Sequence, residues 1–159
     1  MKKIIFCLLL GALISGCVNS NSTETKSYFI HLTSDPKINP SAAMMSIFAA
    51  NEALKQGHDV TYFAAGDGVK ILLKGVIENL HTVTPHGGGT GKISQMAKES
   101  LLEFSKNGGI IHVSEDSFAT YGVSQDNHEE HLIDVSKIFW SYPKQLIEES
   151  SKADIVFSY

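Results

Sequence analysis

Short apolar runs alternate with longer helical patterns through most of this 159-residue chain. A strand that is buried on both faces has an almost continuous apolar sequence, and strands that alternate with helices are typical of a parallel sheet. The strand-like runs are YFIHLT at 28–33, HDVTYFAA at 58–65, IIHV at 110–113 and DIVFSY at 154–159. This pattern predicts an α/β domain in which a mostly parallel sheet is covered on both faces.

The segments between these runs predict helices. Asn39 and Pro40 are a suitable N-cap and first residue for a helix that ends near Gln56. Further helices are expected at 69–74, at 93–104 along one apolar face, at 116–121 and from Pro143 onward.

The glycine-rich stretch PHGGGTGKIS, residues 85–94, resembles the start of a phosphate-binding loop. The spacing of a Walker loop would require Gly at 86 and Ser or Thr at 93, where this chain has His86 and Ile93. A dinucleotide-binding GxGxxG pattern that begins at Gly87 would require Gly at 92, which is Lys92. The stretch therefore predicts a flexible loop that leads into a helix, and an anion contact at the helix N-terminus stays open.

The first residues have the features of a secretory signal. Two lysines precede an apolar run, residues 4–14, that is too short to span a bilayer, which needs about 20 residues. Ile14-Ser15-Gly16-Cys17 then resembles the lipobox of bacterial lipoproteins. This resemblance implies that residues 1–16 are removed as a signal peptide and that Cys17 carries lipid, such as palmitate. The alternative is a plain signal peptide with an incidental cysteine.

The polar segment at 17–26 predicts a flexible tether, which leaves residues 27–159 as one domain of ordinary size. The resemblance to lipoproteins predicts a bacterial cell-envelope protein that is anchored to the membrane through its lipid and faces the periplasm or the exterior. Val18, rather than Asp, follows Cys17, and this favours the outer membrane if the cell has one.

The composition excludes several classes of function. Without Lys2 and Lys3 the chain keeps 11 of its 13 lysines against 17 acidic residues, and it has no arginine. Since Arg is the usual side chain for recognising phosphate and guanine, a nucleic-acid partner is disfavoured. The two cysteines are Cys7, which is lost with the signal, and Cys17, which receives the lipid. The mature domain therefore has no thiol for a disulfide, a thiolate zinc site or a nucleophile, and no cofactor is predicted.

Four blocks of sequence occur in an order that carries a family resemblance: FIHLTSDP, AANEALKQGHDVTYFAAGDGVKILLKG, LLEFSKNGGIIHVSEDSFATYGV and ADIVFSY. Together they resemble the DsrE/DsrF-like family, which includes the YchN and TusD proteins, across nearly all of residues 27–159. The resemblance implies a three-layer α/β/α domain that forms a homo-oligomer, often a trimer or hexamer. Members with a reactive cysteine relay sulfur as a protein persulfide.

The chain departs from this family where the sulfur-carrying cysteines are expected. In the fuller pattern, two cysteines lie eight and five residues before a Gly that here is Gly122, so the matching positions are Ser114 and Ser117. A persulfide carrier needs a thiolate, which a serine hydroxyl cannot supply. An activated Ser114 would need a base such as His112, and no Gly-x-Ser-x-Gly turn is present. Helix capping or the lining of a polar pocket is favoured for both serines, and no catalytic residue is predicted.

Polar residues at the carboxyl ends of the predicted strands form the candidate pocket. Ligands of parallel sheets prefer these ends, which meet at one edge of the sheet. The candidate residues are Ser34, Asp35, Asp67, Ser114, Asp116 and Ser117.

Histidines and aromatic residues elsewhere favour structural roles. His128 and His131, in the sequence HEEH, would share a helical face and could bind a metal, but no third ligand is identified, so a solvated acidic loop is favoured. His31 is expected to be a hydrogen-bonded histidine of the core or of a subunit contact. The aromatic stretch FWSY at 139–142 is expected to lie in the core or in an oligomer contact.

The favoured function is that of a membrane-anchored DsrE-like domain that lacks the sulfur-carrying cysteine and binds a small molecule or a partner protein. The first alternative is an enzyme or accessory subunit of sulfur transfer or oxidation that uses a partner's thiol. The second is a structural oligomeric module that takes no ligand.

Overall fold

The computed structural model describes residues 24–80 and 91–159. Within them, five strands form one parallel sheet. Their order across the sheet is β4-β3-β2-β1-β5, and every pair of neighbours is parallel. The strands are β1 (Ser27–Leu32), β2 (Asp59–Ala64), β3 (Ile110–Ser114), β4 (Phe139–Ser141) and β5 (Ile155–Ser158). The predicted α/β fold and its parallel sheet are confirmed.

Strand β4 lies in the aromatic stretch 139–142, which the sequence pattern did not predict to be a strand. It pairs with β3, so that Phe139 lies beside His112 and Ser141 beside Ser114. A strand of three residues is too short to show a periodic apolar pattern, and its pairing is decided by the neighbouring strand.

Five helices are present in the described part of the chain. They are α1 (Pro40–Lys55), α2 (Lys92–Lys106), α3 (Glu115–Ala119), α4 (His128–His131) and α5 (Pro143–Lys152). As predicted, Asn39 caps α1, because its side-chain oxygen accepts a hydrogen bond from Ala42 N at 3.2 Å, and Pro40 is the first helical residue.

Two local predictions differ from the structure. The helix expected at 69–74 is a 3-10 helix at Gly66–Leu72, so it begins directly in the glycine turn after β2. The HEEH segment is one helical turn, α4, and not a loop. Most of the glycine-rich stretch and all of the signal and lipidation residues lie outside the described residues.

The connections place helices on both faces of the sheet. Helix α1 joins β1 to β2 and α2 joins β2 to β3, whereas α5 runs from β4 back to β5 at the opposite edge. Since parallel crossovers are right-handed, α1 and α2 cover the first face and α5 lies on the second. The main core lies under α1 and α2, where Ile30, Tyr62 and Val113 are completely buried.

The second face of the sheet carries a row of aromatic and imidazole rings. His112 stacks on Phe63 and on Phe139, with ring centroids 5.7 and 5.1 Å apart, and His31 lies edge-on to Phe63 at 5.9 Å. The prediction of a hydrogen-bonded His31 is wrong for its Nε2 atom, which is buried without a partner among the described residues. Burial lowers the pKa of both imidazoles, because a charged ring would lose its hydration there.

We expect the domain to lose stability as the pH falls below about 6.5, the usual pKa of histidine. The unfolded chain then binds protons that His31 and His112 do not yet accept in the fold. The free energy of unfolding therefore falls as the pH drops towards their lowered pKa values, by at most about 1.4 kcal/mol per pH unit for each ring.

Urea unfolding at several pH values between about 7.5 and 5 measures the slope of the unfolding free energy against pH. The variant His31→Phe should lose part of the slope, whereas His131→Asn, a change at an exposed histidine, should keep all of it. An unchanged slope in His31→Phe would mean that this imidazole does not contribute.

Candidate functional site

The carboxyl ends of β1, β2 and β3 meet at one edge of the sheet. We refer to this edge as the carboxyl rim and define it as residues 33–35, 65–70 and 114–117. Gly68 holds the turn after β2 close to the end of β1, because its N–H donates a hydrogen bond to Thr33 O at 3.1 Å. A Cβ at this position would lie 2.2 Å from Leu32 O, so only glycine fits. The glycine turn therefore brings the ends of β1 and β2 together.

Two of the three serines of the rim, Ser114 and Ser117, form a hydrogen-bonded chain with this turn. Ser114 caps α3, and its Oγ accepts hydrogen bonds from Ser117 N at 3.3 Å and from Ser117 Oγ at 2.8 Å. Ser117 Oγ in turn accepts a hydrogen bond from Gly66 N at 2.9 Å. The helix cap that the sequence favoured is present, and it also connects β3 to the turn after β2.

The structure gives Ser114 no neighbouring base among the described residues. The imidazole of His112 is hydrogen bonded with Ser141 Oγ at 2.8 Å, and it lies between aromatic rings on the second face of the sheet. A serine nucleophile needs a base within hydrogen-bond reach. The geometry is that of a helix cap rather than of a serine–histidine pair.

A lysine links two of the three aspartates of the rim. Lys70 Nζ lies 2.7 Å from Asp35 Oδ2 and 3.2 Å from Asp67 Oδ1. The same ammonium lies 4.8 Å from the centroid of the Tyr121 ring, and the Tyr121 hydroxyl donates a hydrogen bond to Asp67. Asp35, Asp67, Lys70 and Tyr121 therefore form one connected cluster at the carboxyl rim.

The charges of this cluster reinforce one another. The hydrogen bond from Lys70 holds the pKa of the Asp35 carboxyl below its usual value, and Asp35 in turn raises the pKa of the Lys70 ammonium. The hydrogen bond from Tyr121, followed by that from Lys70, lowers the pKa of Asp67. Lys70 is therefore charged at neutral pH and cannot act there as a base or a nucleophile.

The structure connects four of the six predicted pocket residues through two sets of hydrogen bonds. Ser114 is joined to Ser117, and Asp35 is joined to Asp67 through Lys70. The other two predicted residues belong to neither set. The backbone N–H of Ser34 donates to Tyr159 O at 3.3 Å, and Asp116 is exposed.

Lys70, a residue of the rim, and Tyr121, which contacts it, were not predicted. The spacing of Asp67 and Lys70, three residues apart on a short helical segment, is a signal that could have identified the lysine. Tyr121 carries no such signal, because it is 54 residues from Asp67 in the chain.

Neither a cluster of metal-binding side chains nor a helix that could cross a membrane is found among the described residues. No group of three or more His, Cys, Asp or Glu side chains within residues 24–80 and 91–159 could hold a metal. His128, one of the two histidines considered for such a role, is hydrogen bonded through Nδ1 to Gln125 O at 2.7 Å. None of the described helices has the length and apolar character needed to cross a bilayer.

The sequence profile of the DsrE/DsrF-like family matches residues 26–159. The chain belongs to the DsrE/DsrF-like family. Two solved structures resemble it at 14% sequence identity. YchN from E. coli matches with a TM-score of 0.58 over 85% of this chain and 99% of YchN. A conserved protein of unknown function from Bacteroides thetaiotaomicron matches with a TM-score of 0.51 over 84% of this chain and 95% of its own.

These comparisons confirm the family that the four sequence blocks indicated. At this identity the solved structures support the shared DsrE-like fold alone, and a search of curated proteins found no match. Family membership makes the domain a relative of sulfur-relay proteins. Within that family, this chain has serines at the positions that we matched to the sulfur-carrying cysteines.

Proposed function

We propose that this protein is a lipid-anchored DsrE-like domain of the bacterial cell envelope that carries no sulfur itself and binds a small molecule or partner protein at its carboxyl rim. The observation that carries this proposal is the chain of hydrogen bonds from Ser114 through Ser117 to Gly66 N. By our match to the family pattern, Ser114 and Ser117 place hydroxyl groups where a sulfur carrier needs a thiolate.

The serine chain supports binding rather than group transfer. Both side chains are half-buried and already act as hydrogen-bond acceptors for the turn and for α3, which gives them a fixed orientation. Preorganised polar groups of this kind orient a ligand without forming a bond to it. Sulfur uptake by the native protein tests the proposal, and we expect none.

The charges of the rim favour a ligand or partner surface that carries hydrogen-bond donors or positive charge. Asp67 keeps 51% of its side chain exposed in spite of its contact with Lys70, and Asp116 is exposed beside the serines. Carboxylates only accept hydrogen bonds, so their natural counterparts are ammonium, guanidinium, amide and hydroxyl groups.

The lipid anchor is a proposal supported by the sequence Ile14-Ser15-Gly16-Cys17. We expect Cys17→Ser to leave the precursor without lipid and to move the protein from the membrane fraction to the soluble fraction. Ser22→Ala, a change in the tether, is a matched control that should stay in the membrane fraction. Fractionation and intact-mass measurements check this, and unchanged values for Cys17→Ser would contradict the anchor.

Self-association, which the family resemblance implies, stays a prediction.

A further inference from the structure

A cleft of about 480 Å³ lies beside the edge strand β4. Its lining contains no residue of the carboxyl rim, so it is a separate feature of the domain. The apolar and aromatic residues that line it, together with one imidazole, are His128, Leu132, Ile133, Val135, Ile138 and Trp140. Small-molecule sites typically have volumes of roughly 300–1,000 Å³ with mainly apolar and aromatic walls. The cleft has the size of such a site, and its lining combines these apolar and aromatic residues with polar ones.

The wall that carries α4 is fixed by hydrogen bonds to the segment after the 3-10 helix. The N–H of Lys74 donates to His131 O at 2.8 Å, and the N–H of Ile133 donates to Leu72 O at 2.9 Å. The ammonium of Lys74 also donates to Glu129 O at 2.7 Å. A ligand therefore meets a wall that is already ordered, which avoids the entropy cost of ordering it on binding.

Two neighbouring side chains of the cleft, His128 and Trp140, offer one hydrogen-bond acceptor and one donor. His128 Nδ1 lies 2.7 Å from Gln125 O, and because a carbonyl only accepts, Nδ1 carries the proton and Nε2 of the neutral ring is an acceptor. Trp140 lies edge-on to His128, with ring centroids 5.7 Å apart. The indole N–H of Trp140 donates to no other side chain or carbonyl in the described part of the chain, so this donor is free for a ligand.

The charges around the cleft cancel. Lys74 and Lys137 line it together with Glu129 and Asp134, so its lining has two positive and two negative side chains. A neutral ligand is therefore favoured over an ionic one, because neither sign of charge meets a net attraction.

We propose that this cleft binds a neutral, planar heteroaromatic molecule that carries a hydrogen-bond donor close to an acceptor. The ring lies against Trp140 and the apolar wall, where stacking and burial both stabilise it. The acceptor of the ligand receives the Trp140 N–H, and the donor of the ligand meets His128 Nε2.

Benzimidazole is a suitable probe, because it is planar, neutral at about pH 7.5 and has one N–H donor and one nitrogen acceptor. Trp140 is the only tryptophan of the sequence, so its indole N–H signal in an NMR spectrum reports on this cleft alone. We expect a saturable shift of this signal with a Kd of about 1 mM, the affinity expected for so small a ligand. The probe 1-methylbenzimidazole, which has lost the donor, should bind about tenfold more weakly.

Two variants test the role of His128. His128→Asn keeps a donor for Gln125 O but removes the Nε2 acceptor, and it should weaken benzimidazole binding about tenfold. His131→Asn is the matched control, because His131 is exposed and does not line the cleft, and it should bind benzimidazole as the native protein does.

The proposal is overturned if the native protein shows no saturable shift up to about 10 mM benzimidazole, or if it binds both probes equally. Equal binding by folded His128→Asn, with folding checked by circular dichroism, would overturn the role of Nε2. If that variant does not fold, the comparison of the two probes on the native protein still decides. Sulfur uptake at the rim is measured independently, so failure of one proposal leaves the other standing.

Discussion

The variant Ser114→Cys should take up about one sulfane sulfur per chain, whereas the native protein should take up none. A thiol at this position replaces an oxygen that accepts hydrogen bonds from Ser117 N at 3.3 Å and from Ser117 Oγ at 2.8 Å. Hydrogen bonds to the charged form favour it, so the pKa of the new thiol should lie below the usual value of about 8.5. The thiolate then attacks the sulfane sulfur of a persulfide donor, a new S–S bond forms, and the donor's thiolate leaves.

Intact-protein mass spectrometry after incubation with a persulfide donor measures the uptake. Ser141→Cys is the matched control at the end of a strand, and it should stay inert although His112 lies beside it, because Ser141 is only 1% exposed and a persulfide donor cannot reach a thiol there. Ser117→Cys should react less than Ser114→Cys, since Ser117 Oγ accepts one hydrogen bond, from Gly66 N, whereas Ser114 Oγ accepts two. Uptake by the native protein would contradict the thiol-free function. An inert but folded Ser114→Cys would show that this position was wrongly matched to the cysteine of the family.

Most of the fold could be predicted because its strands and helices are specified by residues that are close together in the sequence, in segments long enough to show a pattern. The runs at 28–33 and 58–65 are mainly apolar and contain the strands β1 and β2, and the helix after Asn39 is specified by its cap and its first proline. Strand β4 could not be predicted, because three residues hold no periodicity and their conformation is imposed by pairing with β3. The 3-10 helix was misplaced for a related reason: the turn after β2 is shaped by contact of Gly68 with Leu32 O, which is distant in sequence.

In the candidate site, too, local features could be predicted and contacts between distant segments could not. The helix cap by Ser114 could be anticipated, because the serine lies directly between a strand and a short helix. Its link to Gly66 could not, because it depends on how β2 and β3 end beside each other. The cluster around Lys70 combines residues from three separate segments, and the cleft at Trp140 depends on a strand that the pattern did not reveal.

Lys70→Met should lower the free energy of unfolding by about 2 kcal/mol. The methionine keeps most of the length of the side chain but removes the ammonium that lies 2.7 Å from Asp35 Oδ2. Asp35 is only 12% exposed, so its carboxylate would remain charged in a place where water replaces the lost partner poorly. Removing one partner of a fully buried pair costs about 3–5 kcal/mol, and the partial exposure of Asp35 and Lys70 reduces that figure.

Urea unfolding of three further variants separates the charge effect from packing. Asp35→Asn with Lys70→Met removes both charges and should recover most of the loss, because no unpaired carboxylate remains. Asp67→Asn alone is the control for the exposed contact, and it should cost much less than Lys70→Met because half of that side chain meets solvent. Asp35→Asn alone leaves Lys70 with Asp67 and should cost less than Lys70→Met. Equal losses in the single and double variants would show that Lys70 stabilises the rim by packing and not by charge.

The pH dependence of the stability lost in Lys70→Met is an independent test of the charge effect. Lys70 lowers the pKa of Asp35 in the fold, so the stabilisation from the pair is complete above about pH 4 and is lost as the pH falls through the lowered pKa. In Lys70→Met the carboxyl is no longer held in its charged form, and it can take up a proton and become neutral at a higher pH than in the native protein. The difference in unfolding free energy between the two proteins should therefore shrink as the pH falls towards about 4 and below. A difference that stays constant with pH would mean that the charge of Asp35 is not what Lys70 stabilises.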